Sequence, residues 1–323
     1  MDDTRKLVVF LGINDWANVS HGLARAITAH SEKWRARVIV ANRHVYGYQE
    51  DLCITDMSED LFIARVVEAS LVMSIGDGDY RLMYSIYANH FPACPPIGTI
   101  HVGSAYRTYP GEYAKADSSL GFKLRLIGAD SYRFAHGDPL AFPFLPCPNA
   151  FEASVPPVES RKRLRVGHCP SNANMKGTSI IRKSLADCDF ADLMMPRRHL
   201  HYKEAVAFKS RNNIDVYIDQ LNPEVGGFGV SALEAMAQGV PVVASTQHVT
   251  SHREEIERHF PLPPIHHVNP NGHDLLPTLK HLADTLRLDS LATLGWAQDN
   301  CSPEAVTKYL EPLLDSTQDS PKP

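Results

Sequence analysis

No part of this chain approaches the ~18 consecutive apolar residues that a membrane-crossing helix needs, so helical membrane insertion is not expected. No apolar segment follows the opening Met1-Asp2-Asp3-Thr4-Arg5-Lys6, which argues against a secretory leader and for a cytoplasmic protein. The six cysteines (Cys53, Cys94, Cys147, Cys169, Cys188, Cys301) lack C-x-x-C spacing, which removes zinc and disulfide-framework readings and leaves reduced thiols. Positive charge is scarce too. With 32 Lys+Arg against 37 Asp+Glu, the formal charge of −5 gives no footprint for tight nonspecific nucleic-acid binding, although a local basic groove stays open. Asp77-Gly78-Asp79 lacks the EF-hand spacing and its terminal Glu, so it reads as a turn, not a calcium loop.

What is present is the grammar of an α/β protein long enough, at 323 residues, for two domains. Residues 7–11 (LVVFL), 37–41, 70–75, 96–102, 124–127 and 141–145 predict strands, with helices near 18–30 and 61–68. A proline-rich passage at 143–157 reads as a linker. Strands near 163–168, 191–195 and 214–221 then alternate with helices near 178–185 and 202–210, and the chain turns mainly helical from Asp274. This pattern predicts two Rossmann-like doubly wound domains facing each other across a cleft, 1–150 and 151–323, with the last helix free to pack back on the first.

One stretch organises the second half: a glycine-rich turn (Gly226, Gly227, Gly229), a helix ending at Gly239, and a short β-rich run at 241–244. The turn lets backbone approach a ligand, and the following helix suits an anion at its start. Glu234 lies about one and a half turns into that helix, where a carboxylate reaches past a phosphate towards sugar hydroxyls. A helix merely packed through small residues, with Glu234 solvated, is the alternative. Lys176, just before the helix at 178, is unfavourable for the helix dipole unless an anion lies between them. In the first half, the loop at 12–20 offers Gly12, Asn14, Asp15, Asn18 and Ser20 at the carboxyl edge of the sheet; capping of the helix by Asn18 or Ser20 is the competing role. The strand at 96–102 delivers His101, Ser104 and Arg107 to the same edge, for hydrogen bonds to a sugar or a guanidinium fork on phosphate.

The runs Ile218-Asp219-Gln220, the glycine turn, Glu234-Ala235-Met236-Ala237 with Gly239 and Pro241-Val242-Val243-Ala244, and Pro170-Ser171-Asn172 with Lys176-Gly177-Thr178, resemble retaining GT-B glycosyltransferases of the family 4 type. The resemblance is specific in the C-terminal half and one of layout in the N-terminal half. It implies a nucleotide-sugar donor, with a UDP-sugar as the default, held mainly by the C-terminal domain. Glu234 would take the ribose, Lys176 and Asn172 the diphosphate side, and Gly227, Phe228, Gly229, Val230 and Ser231 the phosphates or sugar. Asp219 would lie by the nucleotide. His101 would stand for the family histidine near the donor sugar, and the 12–20 loop would approach diphosphate and acceptor.

Two departures stand out. The earlier of the family's two glutamates falls at Gly226, so Glu224 must swing in or the role is missing. The companion arginine is absent, with Arg107, Arg197 or Arg198 as substitutes. No Asp-x-Asp pair of the kind metal-dependent glycosyltransferases use is read here, Asp77-Gly78-Asp79 having the spacing in the wrong half, so neither metal nor another cofactor is expected, and Lys176 with the helix start would stabilise the departing diphosphate. The acceptor stays open among glycans, small metabolites and a modified DNA base, though net charge does not indicate nucleic acid. Two other activities remain: a non-catalytic nucleotide-sugar binding module and a GT-B-fold sugar-nucleotide epimerase.

Overall fold

Buried apolar runs build two parallel sheets in this computed structural model, which describes residues 3–75, 80–90, 94–135, 137–149, 151 and 162–318. The chain divides into two units, Met1–Cys147 with Pro303–Pro323, and Pro148–Ser302. The C-terminal segment groups with the first unit.

The first unit opens with β1 (Lys6–Gly12), buried on both faces as a helix-covered parallel strand must be. Leu7, Val9 and Leu11 share one face and pack with Ile39, Phe62, Val66, Val72 and Met83. There follow α1 (Val19–His30), β2 (Trp34–Val40), β3 (Leu52–Cys53), α2 (Glu59–Val67), β4 (Leu71–Ile75), α3 (Tyr80–His90), β5 (Ile97–His101), α4 (Ser104–Thr108), α5 (Pro110–Leu120), β6 (Arg125–Gly128) and β7 (Ala141–Phe144). The strands run parallel in the order β3-β2-β1-β4-β5-β6-β7, so the winding reverses between β1 and β4. Pro143, expected in the linker, lies inside β7, an edge strand that tolerates the missing N–H.

The second unit contains β8 (Leu164–Gly167), α6 (Thr178–Leu185), β9 (Ala191–Met194), α7 (Tyr202–Arg211), β10 (Val216–Ile218), α8 (Val230–Met236), β11 (Val242–Ala244), α9 (Gln247–Thr250), α10 (Arg253–Ile256), β12 (His266–His267) and α11 (Leu275–Cys301). Its parallel order is β12-β11-β10-β8-β9, with the reversal between β8 and β10. Leu275, Leu279, Leu282 and Leu286, spaced by three or four, put one stripe of α11 against Val166, Val216, Ile218 and Ile181. Each such side chain contributes about 1.5–3 kcal/mol by burial. β10 is shorter than the predicted 214–221, and residues 219–221 leave the sheet to enter the loop described below.

α12 (Pro303–Ser316) closes the first unit. Asp315 accepts from Lys33 Nζ (2.8 Å) and Trp34 Nε1 (2.9 Å), Glu311 accepts from Ser31 Oγ, and Tyr309 donates to the Pro143 carbonyl (2.6 Å).

Candidate functional site

Open α/β sheets bind ligands beyond the carboxyl ends of the strands where the winding reverses. In the second unit that point lies between β8 and β10, and the loops leaving these strands are joined there. Leu221 N donates to the Lys176 carbonyl (3.2 Å) and Asn222 Nδ2 to the Met175 carbonyl (3.1 Å). Gly177 has a φ of +66°, and a Cβ on it would stand 2.0 Å from the Leu221 carbonyl oxygen, so only glycine allows this approach. Beneath the loops, the buried His168 links Ile218 O (Nδ1, 2.8 Å) to Thr178 Oγ1 (Nε2, 2.9 Å). Burial lowers its pKa to about 4, keeping the ring neutral so that Nδ1–H donates and Nε2 accepts.

At the mouth of this junction Lys176, Asp219, Gly229 and Ser231 converge. Lys176 Nζ donates to Asp219 Oδ1 (2.8 Å), Ser231 Oγ donates to the same oxygen (3.1 Å), and Gly229 N donates to Oδ2 (2.7 Å). Burial pushes the Asp219 pKa up, but the Lys176 charge and these hydrogen bonds outweigh it and hold the carboxyl below its ordinary value. The expected lone cation facing an anion is therefore a cation already compensated by a buried carboxylate. The Lys176 side chain keeps 18% exposure. A Cβ at Gly229 would come within 3.0 Å of Lys176 Nζ.

Glu234 is buried rather than solvated. Its Oε1 accepts from Asn149 Nδ2 (3.2 Å), and its Oε2 lies 3.6 Å from Lys209 Nζ. Lys209, only 1% exposed, holds its ammonium 4.9 Å from the centre of the Tyr217 ring. Sequence reasoning missed Lys209, because a lysine on an amphipathic helix reads as surface. Gln220, part of the family-like run with Asp219, donates through Nε2 to the Gly227 carbonyl (2.7 Å) and sets the glycine turn.

Other expected residues take different places. Glu224 is exposed, with its backbone N bonded to Asn222 Oδ1 (2.8 Å). Gly226, where the family pattern has glutamate, has a φ of +52°, and a Cβ there would stand 2.2 Å from the His248 ring. Phe228 is buried and Val230 half-buried. Asn172 caps its own turn, its Oδ1 accepting from Asn174 N (3.1 Å) and Met175 N (3.2 Å). Arg198 is exposed and paired with Glu204 (2.7 Å).

In the first unit, Asp15 anchors the start of α1, in place of the expected Asn18 or Ser20. Its Oδ1 accepts from Ser20 N (2.9 Å) and its Oδ2 from His21 N (2.8 Å). Burial raises its pKa to about 6 despite these bonds. Asn18 Oδ1 accepts from Gln49 N (2.8 Å), and the Gly12 carbonyl accepts from Ala41 N (2.8 Å). Asn14 Oδ1 is buried without a hydrogen-bond partner among the described residues. His101 is buried, stacked on Tyr106 at 4.3 Å, with Nε2 2.8 Å from Asp117 Oδ2. Its Nδ1 is buried without a hydrogen-bond partner among the described residues. Arg107 donates to Asp130 (2.6 Å). Ser104 opens α4, and its side chain lies outside the described residues, as do Asp77 and Asp79. Among the described residues no cluster of three or more His, Cys, Asp or Glu is placed to hold a metal ion, and no helix is long and apolar enough to cross a membrane.

A scan against protein-family models and a search of curated proteins both give no match. Solved structures do match. Anabaena Alr3699/HepE, crystallised with UDP-glucose, is similar over 96% of this chain and 99% of its own, with a TM-score of 0.62 and 14% identity. A UDP-N-acetylglucosamine 2-epimerase is similar over 96% of this chain and 95% of its own, with a TM-score of 0.50 and 14% identity. At such identity the likeness is one of fold, and with the two parallel sheets it identifies the two-domain Rossmann-like GT-B fold.

Proposed function

We propose that the chain is a glycosyltransferase that moves a sugar from a nucleotide donor, by default a UDP-sugar, to a hydroxyl acceptor. The observation that carries this reading is the convergence of Lys176, Gly229 and Ser231 at the second sheet's winding reversal, with Glu234 on the helix that follows. Structures of the same fold that bind UDP-glucose or act on UDP-N-acetylglucosamine support a nucleotide-sugar ligand.

In this reading the second unit is the donor side and the first the acceptor side. The diphosphate accepts from Lys176, whose charge stabilises the leaving group as negative charge develops. Asp219 is a positioning residue that aims the ammonium. Glu234 retains lone pairs beyond those used by Asn149 and Lys209, enough to accept from ribose hydroxyls. We further propose that transfer retains configuration, proceeds without a metal and takes place in the cytoplasm.

A sugar-nucleotide epimerase is the second reading, favoured by the epimerase of like fold and by the closed position at Gly226. Incubation with UDP-glucose and UDP-N-acetylglucosamine, followed by proton NMR, separates the two. A transferase releases UDP when acceptor is present and keeps the sugar's configuration in the product; an epimerase changes the donor's sugar with no acceptor at all. Neither change, despite binding, leaves a non-catalytic module.

A further inference from the structure

The loops leaving β1 and β2 lie at the carboxyl edge of the first sheet, the first of them at its winding reversal. They form one ordered surface. Ala41 N donates to the Gly12 carbonyl, Asn42 N to the Ile13 carbonyl and Gln49 N to Asn18 Oδ1, each at 2.8 Å. On this surface stands a group of rings: Trp16 meets His44 edge-on at 5.0 Å, and His44 lies 4.5 Å from Tyr48 and 5.0 Å from Tyr46. Trp16 stays 47% exposed, and its neighbours Ile13 and Val45 are exposed as well. Large apolar side chains gathered in solvent mark a binding surface more often than scattered ones do.

Three further observations narrow the ligand. Ala17 has a φ of +56°, unfavourable for alanine, and this strained turn directly follows Trp16. Asn14 Oδ1, two residues before Trp16, is a buried acceptor without a donor among the described residues. The one arginine of the 44–48 turn's flank, Arg43, is held by both Glu50 and Asp56, which leaves it no surplus positive charge. The rings therefore suit a neutral ring with hydroxyl groups and disfavour a polyanion.

We propose that residues 13–16 and 44–48 form a carbohydrate-binding platform on which the apolar face of a neutral sugar ring stacks against Trp16, flanked by His44 and Tyr48. Naming this ligand as the acceptor glycan rests on the transferase reading; the binding itself does not.

The test is an intrinsic-fluorescence titration of the full chain with maltohexaose, cellohexaose and chitohexaose. A DNA duplex containing 5-hydroxymethylcytosine serves as the anionic comparator. Of the three tryptophans, Trp34 is fully buried, so a blue shift on binding reports mainly on Trp16 or Trp296, and loss of the signal in Trp16→Phe assigns it. At least one hexasaccharide is expected to bind. In calorimetry, Trp16→Ala should weaken that binding about tenfold or more, and Trp16→Phe should hold it within about threefold of the parent. No hexasaccharide bound at up to about 10 mM, equal binding by Trp16→Ala, or binding of the DNA alone overturns the platform. Trp16-dependent saccharide binding without any nucleotide-sugar binding would remove the transferase reading and leave the platform standing; the reverse result removes the platform alone.

Discussion

Replacing Asp219 by Asn removes one charge from the junction while keeping a carbonyl oxygen. At the observed 2.8 Å, the gross attraction between Lys176 and Asp219 is about 6 kcal/mol for an effective dielectric of about 20. Asp219 is fully buried but Lys176 is partly exposed, so water compensates the orphaned ammonium and the expected stability loss is about 1–3 kcal/mol. The effect on anion binding has the opposite sign. A phosphate accepting from Lys176 stands about 5 Å from the carboxylate, where like charges repel by about 3 kcal/mol at the same dielectric. Solvent at the mouth cuts this roughly by half, so Asp219→Asn should bind UDP and inorganic pyrophosphate about tenfold more tightly. Calorimetric titration of parent and variant, with melting temperatures alongside, reads both effects. Unchanged affinity in a folded variant would refute the sharing of Lys176 between Asp219 and the diphosphate.

Lys209→Met leaves Glu234 buried beside an apolar side chain and should cost about 3–5 kcal/mol in denaturant unfolding; a loss below 1 kcal/mol would show that the pair is not buried in solution. Gly226→Glu, which writes the family glutamate back in, should lower activity and melting temperature, because the left-handed φ and the His248 ring both oppose a side chain there. A gain in turnover would contradict the observed turn. Asp15, with its pKa raised to about 6 by burial, binds more protons folded than unfolded between about pH 4 and 6. Its own contribution to stability should therefore fall by about 3 kcal/mol as pH rises through that window, against the opposite contributions of groups such as Asp219 and His168. In urea unfolding at pH 4, 5, 6 and 7, the stability of the parent minus that of Asp15→Asn should fall by this amount; an identical pH profile in the variant would remove the assignment.

The strand–helix alternation was legible because parallel strands buried on both faces read as continuous apolar runs, as residues 7–11 do. Lys176, Asp219 and the glycine turn were legible as candidates because residue type and motif order suffice to locate them. Their mutual pairing was not, since Lys176 and Asp219 are 43 positions apart and meet only through the sheet order. Lys209 was invisible for the same reason: nothing local distinguishes it from a solvated lysine until α7 packs beside Tyr217 and Glu234. Gly226 looked like a lost glutamate in the sequence, whereas the fold shows a position that no side chain can occupy without displacing His248. His101 and Asp15 read as ligand contacts because polar residues at a sheet edge look alike whether they face a ligand or bond internally to Asp117 or to the start of α1.

Donor binding at Lys176 is the claim on which the rest depends, and a thermal-shift comparison of the parent with Lys176→Ala tests it most directly. Each protein is scanned against UDP, GDP, ADP, TDP, CMP and their common sugar conjugates, and each shift is taken relative to that protein's own melting temperature. One nucleotide and its sugar conjugates should raise the parent's melting temperature, by about 2.7 kcal/mol of added stability at a hundredfold excess over Kd, and leave the variant unmoved. No shift of the parent with any of them, or an equal shift in both proteins, would contradict a nucleotide-sugar site at this junction.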